Sequence, residues 1–185
     1  MYNKYMEKNR LFIETEYARE LGEYKIPRYD ELPDFDLYME QLIEILDKYL
    51  NIFRIPGEEK MITSTMINNY VKQKVIPPPK NKKYSKSQLL YLIVIGILKQ
   101  VWSISETAQV LKLYSEQYSE EIAYNYMCTE LESALQATFI TRNFSAESCA
   151  TKITPLSEAV RSALMAFTNR IYSKKVLHHL GTFNN

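Results

Sequence analysis

The chain has 185 residues, of which 46% are hydrophobic and 24% charged, a balance that excludes wholesale disorder and supplies material for one sizeable core. Its 4 glycines, 2 cysteines and 2 histidines disfavour Gly-rich cofactor folds and leave little from which to build a metal site, and neither GxGxxG nor a phosphate-loop motif occurs. Net charge is +1 and indicates no partner by itself. The longest near-apolar run, 89–98, is about half of a membrane span, and the polar opening Met1–Lys8 is unlike a secretory signal, so a cytoplasmic protein without membrane association is expected.

In chain order, Leu11, Phe12, Tyr17, Ala18 and Leu21 recur at helical spacing, with Gly22 as a stop. Residues 26–33, bounded by Pro27 and Pro33, read as a linker, so that 1–33 form an N-terminal helical extension. A second helix is expected after Pro33, capped by Asp34 or Asp36 and carrying Leu37, Leu42, Ile45, Leu46 and Tyr49. Pro56-Gly57 then breaks the chain. The third helix is expected over 62–75, capped by Thr63, with Met66, Ile67, Tyr70 and Val71 as its apolar stripe. Its opposite face is Thr65, Asn68, Asn69, Lys72 and Gln73, all lysine or uncharged polar. The composition suits base edges and phosphates, and equally any exposed helix.

Val75-Ile76-Pro77-Pro78-Pro79 stiffens the exit, and Lys80-Asn81-Lys82-Lys83-Tyr84 reads as a basic hairpin or wing. Ser85 caps a helix that is apolar nearly all round through Leu98, the buried centre of the domain. Ser103 and Glu106 form a capping box for the helix with Ile104, Ala108, Val110, Leu111 and Leu113. Two longer helices follow, one through Ile122, Tyr126, Leu131, Leu135 and Phe139, the other after Pro155 through Leu156, Val160, Leu164, Phe167 and Ile171. No strand-like alternation is longer than about four residues, so the fold class is mainly α, with a central domain at 34–114 and a C-terminal helical region at 115–185.

The charge is unevenly spread. Residues 1–59 hold 8 Lys/Arg and 14 Asp/Glu, whereas residues 60–105 hold 8 lysines and no acid. Such a field attracts and orients a polyanion, most directly a nucleic-acid backbone; the alternative is a solvated lysine face turned toward the acidic N-terminal region.

Over residues 62–111 the sequence resembles the winged helix-turn-helix DNA-binding domain of the mercury-resistance-regulator (MerR) superfamily. Thr63 to Tyr70 resembles its recognition helix, Val75-Ile76-Pro77-Pro78 the exit of that helix, Lys80 to Tyr84 the wing, and Ser85 to Leu89 the start of the next helix. Leu92, Ile95, Leu98-Lys99 and Trp102 to Glu106 stand at its core positions and at the serine-led helix beyond. The phrases Thr-Ser-Thr-Met-Ile-Asn-Asn-Tyr-Val-Lys and Tyr-Ser-Lys are closer still to a family of uncharacterised Gram-positive bacterial proteins that carry this module, over about residues 30–145. Three departures stand out: Asn68 where the superfamily usually has Arg, Lys74 where it often has Gly, and Pro56-Gly57 where the first helix of the motif should lie, so that either residues 36–50 supply that helix through a long turn or the motif is degenerate and reads nothing.

The resemblance implies a transcriptional regulator that binds double-stranded DNA as a homodimer through its C-terminal helices. Thr65, Asn68 and Asn69 would face bases, and Lys72, Lys74, Lys80, Lys82, Lys83, Tyr84 and Lys86 would meet phosphates. Simple packing is the favoured reading of Tyr70 and Tyr84, and helix-end chemistry accounts equally for Asn68 and Asn69. The competing reading is a helical protein–protein adaptor whose winged helix is degenerate. Tyr114, Tyr118, Tyr124 and Tyr126 cluster in sequence and would line a pocket, an interface or a core. No catalytic constellation, cofactor or metal is expected: Glu120-Glu121 and Glu130/Glu132 read as solvated helix faces, and Cys128, Cys149 and His178-His179 lack metal-ligand spacing.

Overall fold

The computed structural model describes residues 11–181; the polar opening stretch lies outside them. Seven α-helices and one two-stranded antiparallel sheet make up the regular structure among these residues. They are α1 (Glu16–Glu23), β1 (Leu37–Tyr38), α2 (Met39–Leu50), α3 (Ser64–Lys72), β2 (Lys83–Tyr84), α4 (Lys86–Leu98), α5 (Ile104–Gln117), α6 (Glu120–Gln136) and α7 (Pro155–His179). The mainly α expectation holds, with the small sheet added. One buried cluster runs from Phe12 to Ile171, and α5 packs against it through the partly buried Ile104, Val110, Leu111 and Tyr114.

The helix starts follow local chemistry. Thr15, Thr63, Ser85, Ser103, Ser119 and Thr154 each turn a side-chain oxygen onto the N–H three residues on, satisfying donors that a helix leaves open. At Ser103 the box is reciprocal, because Glu106 Oε2 accepts from the Ser103 N–H at 2.8 Å. α4 buries ten residues, including Leu89, Leu92, Ile93, Ile95 and Ile97; at about 1.5–3 kcal/mol for each fully buried aliphatic side chain, it is the chief apolar contributor. Gly96 lets α2 and the approach to α3 lie directly on it: a Cβ there would sit 2.8 Å from Leu50 Cδ1 and 3.2 Å from Ile62 Cγ1.

Four expectations are corrected. Gly22 does not stop its helix but lies inside α1, buried, where a Cβ would fall 2.5 Å from Ile140 Cγ1 and 3.1 Å from Phe139 Cβ; closeness to the turn after α6 is what requires it. Residues 26–33 are no loose linker, since Ile26 and Leu32 are buried in the core and Tyr29–Glu31 form a 3-10 turn. Leu37 belongs to a strand, and α2 starts two residues later. Neither Asp34 nor Asp36 caps that helix; the Tyr38 N–H instead donates to Gln41 Oε1 at 3.0 Å.

Candidate nucleic-acid interface

β1 and β2 pair with Leu37 opposite Tyr84 and Tyr38 opposite Lys83. The period of two sends Leu37 and Tyr84 into the core and leaves Tyr38 outside. Lys83 lies over the exposed Tyr38 ring, its Nζ 4.9 Å from the centroid, a cation–π contact. The short ladder thereby fixes the basic stretch against the start of α2.

Ahead of β2 the chain reverses in two residues. Lys80 and Lys83 exchange both backbone hydrogen bonds, at 3.0 and 2.9 Å, while Asn81 and Lys82 both have positive φ, +52° and +64°. This is a type I′ hairpin turn. Its base is tied to α4 by Gln88, whose Oε1 accepts from the Ser85 N–H at 2.8 Å and whose Nε2 donates to the Pro77 carbonyl at 2.9 Å. The expected wing is therefore a tight turn held at both roots.

α3 presents Thr65, Asn68, Asn69, Lys72 and Gln73 to solvent and buries Ile67 and Tyr70. Its end closes through a left-handed residue: Lys74 has φ +59°, the Val75 N–H donates to the Tyr70 carbonyl at 2.9 Å and the Lys74 N–H to the Val71 carbonyl at 3.0 Å. Glycine is the usual residue at such a closure. The departure at Lys74 noted above is thus a lysine in a backbone conformation that glycine would adopt at lower cost.

The lysines divide into two groups. Lys60 pairs with Asp47 at 2.8 Å. Lys99 is turned inward, its Nζ 3.1 Å from Met66 Sδ, and burial lowers its pKa against an opposing pull from Glu59. Lys86 lies with Nζ 4.3 Å from the Tyr29 ring centroid, and Lys83 on Tyr38 as above. Lys72, Lys74, Lys80 and Lys82 are exposed and make no ion pair among the described residues. Tyr84 is 3% exposed, and burial raises its pKa; it anchors the turn from inside, so the cationic surface consists of lysines. Sequence reasoning missed Tyr38 and Gln88. The alternation of buried Leu37 with exposed Tyr38 is too short to signal a strand, and the reach of Gln88 to Pro77 depends on tertiary placement.

Residues 27–131 match the family model described as a domain of unknown function (DUF1836). The chain belongs to this family. The DUF1836 segment takes in both strands, α2 to α5 and most of α6, so the whole basic surface lies within it. No curated protein and no solved structure matches the chain.

The carboxylates at the end of the DUF1836 segment correct a further expectation. Glu130 and Glu132 are not solvated but 0% and 7% exposed. Arg28 grips both oxygens of Glu132, at 2.9 Å each, and Lys25 adds a third contact at 2.9 Å. Glu130 faces Arg161 of α7 at 3.0 Å. These pairs join the N-terminal segment and α7 to α6.

The remaining groups stay apart. Cys128 is buried beside the Pro27 carbonyl, and burial pushes its thiol up to about 12. Cys149 is exposed on a loop, and the His179 ring packs 5.9 Å from Phe12. No group of three or more His, Cys, Asp or Glu that could hold a metal ion occurs among the described residues, and no helix there is long and apolar enough to cross a membrane. Tyr114, Tyr118, Tyr124 and Tyr126 all line one cleft beside α5 and α6.

Proposed function

We propose that this chain binds duplex DNA through the exposed face of α3 and the Lys80–Lys83 turn, as a regulator rather than an enzyme. The observation that carries the proposal is the stretch 60–105, which holds 8 lysines and no acid, with Lys72, Lys74, Lys80 and Lys82 exposed and unpaired among the described residues and Thr65, Asn68 and Asn69 exposed on α3. Two of those lysines occupy left-handed backbone positions, each of which costs a non-glycine residue about 1–2 kcal/mol. Keeping charge there at the expense of stability favours a surface used for binding. The order of elements supports the likeness to a MerR-type winged helix-turn-helix: α2, then α3, then a hairpin turn whose strand pairs beside α2, then a buried α4.

In this reading the α3 asparagines and Thr65 meet base edges in the major groove, where an Asn–adenine pair contributes about 1–3 kcal/mol of discrimination. The lysines position the helix on phosphates. A second copy joined through α6 and α7 doubles the contacts to a level that supports specific binding. An adaptor that binds protein instead is favoured by one observation, the lack of any arginine in residues 60–105, because lysine is the poorer reader of bases.

Fluorescence anisotropy with random-sequence duplex across about 50–200 mM salt tests the proposal. The expected result is a log–log salt slope of about −3 to −4 for four phosphate contacts per chain, flattened in a Lys80/Lys82/Lys83→Ala variant whose circular dichroism matches wild type. Absence of binding at the lowest salt overturns it and turns the search to a protein partner.

A further inference from the structure

The tyrosine-lined cleft beside α5 and α6 has two adjoining chambers. The inner one, between α4, α5 and α6, has walls of Val94, Leu98, Leu111 and Met127 and holds about 50 Å³. The outer one, bounded by α6, the start of α7 and the loop between them, holds about 270 Å³ and is lined by Ile122, Cys149, Lys152 and Leu156 among others. Tyr114, Tyr118, Ala123 and Tyr126 border both. The outer chamber alone exceeds the roughly 150 Å³ of an engineered cavity that takes benzene.

Three features point to a bound molecule rather than imperfect packing. The first is the aromatic wall. Tyr114 is stacked on Tyr126 at 6.2 Å with an interplanar angle of 26°, and Tyr118 follows at 5.8 Å and 39°. A stacked pair with a third, tilted ring beside it gives the cleft an aromatic border that suits a flat aromatic guest. The second is the loop at 142–154, which has neither helix nor strand; its 13 residues are a length usually kept for a functional role.

The third feature is how that loop is held. Ser148 Oγ and the Cys149 N–H both donate to Glu130 Oε2 at 2.9 Å, and Arg161 Nη2 donates to the Ala146 carbonyl at 2.8 Å. Glu130 and Arg161 are themselves buried and paired. A desolvated ion pair gives weak net stability but firm placement, and what it places is the outer wall of the cleft. Lys152 on that wall makes no ion pair among the described residues. Glu120, which lines the inner chamber, accepts a hydrogen bond from Ser87, so a negative side chain borders the inner chamber and a positive one, Lys152, the outer.

We infer that this cleft is a binding site for a small planar aromatic anion of one or two rings, its ring along Tyr114, Tyr118 and Tyr126 and its carboxylate at Lys152. The ring enters first, because Glu120 repels an anion from the inner end. The tyrosines exclude water from the ring faces, and Lys152 sets the orientation. The inference does not depend on nucleic-acid binding, since none of these residues lies on the α3 surface.

Isothermal titration of the full-length protein with 2-naphthoate, and with uncharged 2-naphthamide beside it, tests the site. Ala123 is half-buried and borders both chambers, so Ala123→Leu takes up space in the cleft with little demand on the core. The expected result is saturable binding of one naphthoate per chain, weakened about tenfold or more by Ala123→Leu. Lys152→Gln should bring naphthoate down to the affinity of the amide, a loss of about fivefold or less for an exposed charge. Cys149 gives an independent readout: its reaction with a disulfide reagent should slow in the presence of naphthoate, while Cys128 is buried and does not compete. No saturable heat at millimolar naphthoate overturns the inference. So does binding that Ala123→Leu leaves unchanged, or binding without protection of Cys149.

Discussion

The α3 surface and the α6–α7 pair treat charge in opposite ways. Around α6, carboxylates are taken out of water and matched: Glu130 with Arg161, Glu132 with Arg28 and Lys25. Around α3, Lys72, Lys74, Lys80 and Lys82 are left in water and unmatched, two of them with strained backbone. Buried carboxylates meet their counter-charges within the chain, and the pairs position its segments. Unmatched lysines contribute nothing to the fold that an alanine or glycine would not, and so are available to something outside it.

The sharpest way to break this contrast is to unpair the buried side. Glu130→Ala leaves Arg161 charged without its partner and should cost about 3–5 kcal/mol in urea unfolding, with much of the loss recovered in Glu130→Leu/Arg161→Met. A small loss for the single change would mean that the pair is hydrated and the contrast false. Gly22→Ala tests the same half by volume. It should lose about 1–3 kcal/mol through the clash with Ile140, and Ile140→Ala in the same chain should restore most of it.

Lys175 in α7 is buried with no carboxylate partner among the described residues, donating to Tyr17 Oη and the Arg54 carbonyl. Burial lowers its pKa to about 8 from 10.5. The unfolded chain therefore holds this proton more tightly, so stability should rise between about pH 8 and pH 10, by at most about 1.4 kcal/mol per pH unit. Above that window the raised pKa of Tyr17 opposes the trend. Lys175→Met should flatten the rise in denaturation midpoints.

The smallest effect is the most telling for the basic side. Lys74→Gly removes a left-handed lysine and should stabilise by about 1 kcal/mol while reducing the salt slope of duplex binding by about one contact. A variant that is more stable and binds DNA as well as wild type would show that the charge at this position has no external use.

What the sequence made legible was local. Thr63, Ser85 and Ser103 announce their helices because the capping atom and its N–H lie within three residues. The polar face of α3 could be read because Ile67 and Tyr70 set its phase. The two-residue turn was readable as a hairpin from Lys80 to Tyr84, although not from Lys82, which stands where glycine usually would. The illegible parts depend on partners far along the chain. Gly22 looks like a stop until Ile140 is known to press on it, and Leu37 fits a helix until Tyr84 pairs with it. Glu130 and Glu132 sit on a helix whose pattern gives no sign that Arg161 and Arg28 will cover them. For the cleft, the tyrosines were visible as a cluster, but the chamber needs the 142–154 loop and its attachment to Glu130.

The two-residue ladder between Leu37–Tyr38 and Lys83–Tyr84 has a kinetic consequence. Its pairing closes more than forty residues of chain with only a short ladder as reward, and loop closure must be met before those contacts form. Within that loop α3 has only nine residues and two buried side chains, too little to persist alone. The turn, α3 and the ladder therefore assemble as a late unit upon an already formed α4, and open as one before the rest. Amide exchange at Lys83 and Val75 is expected to proceed together and faster than along α4, so that the surface proposed for duplex binding would open without unfolding the helix on which it rests.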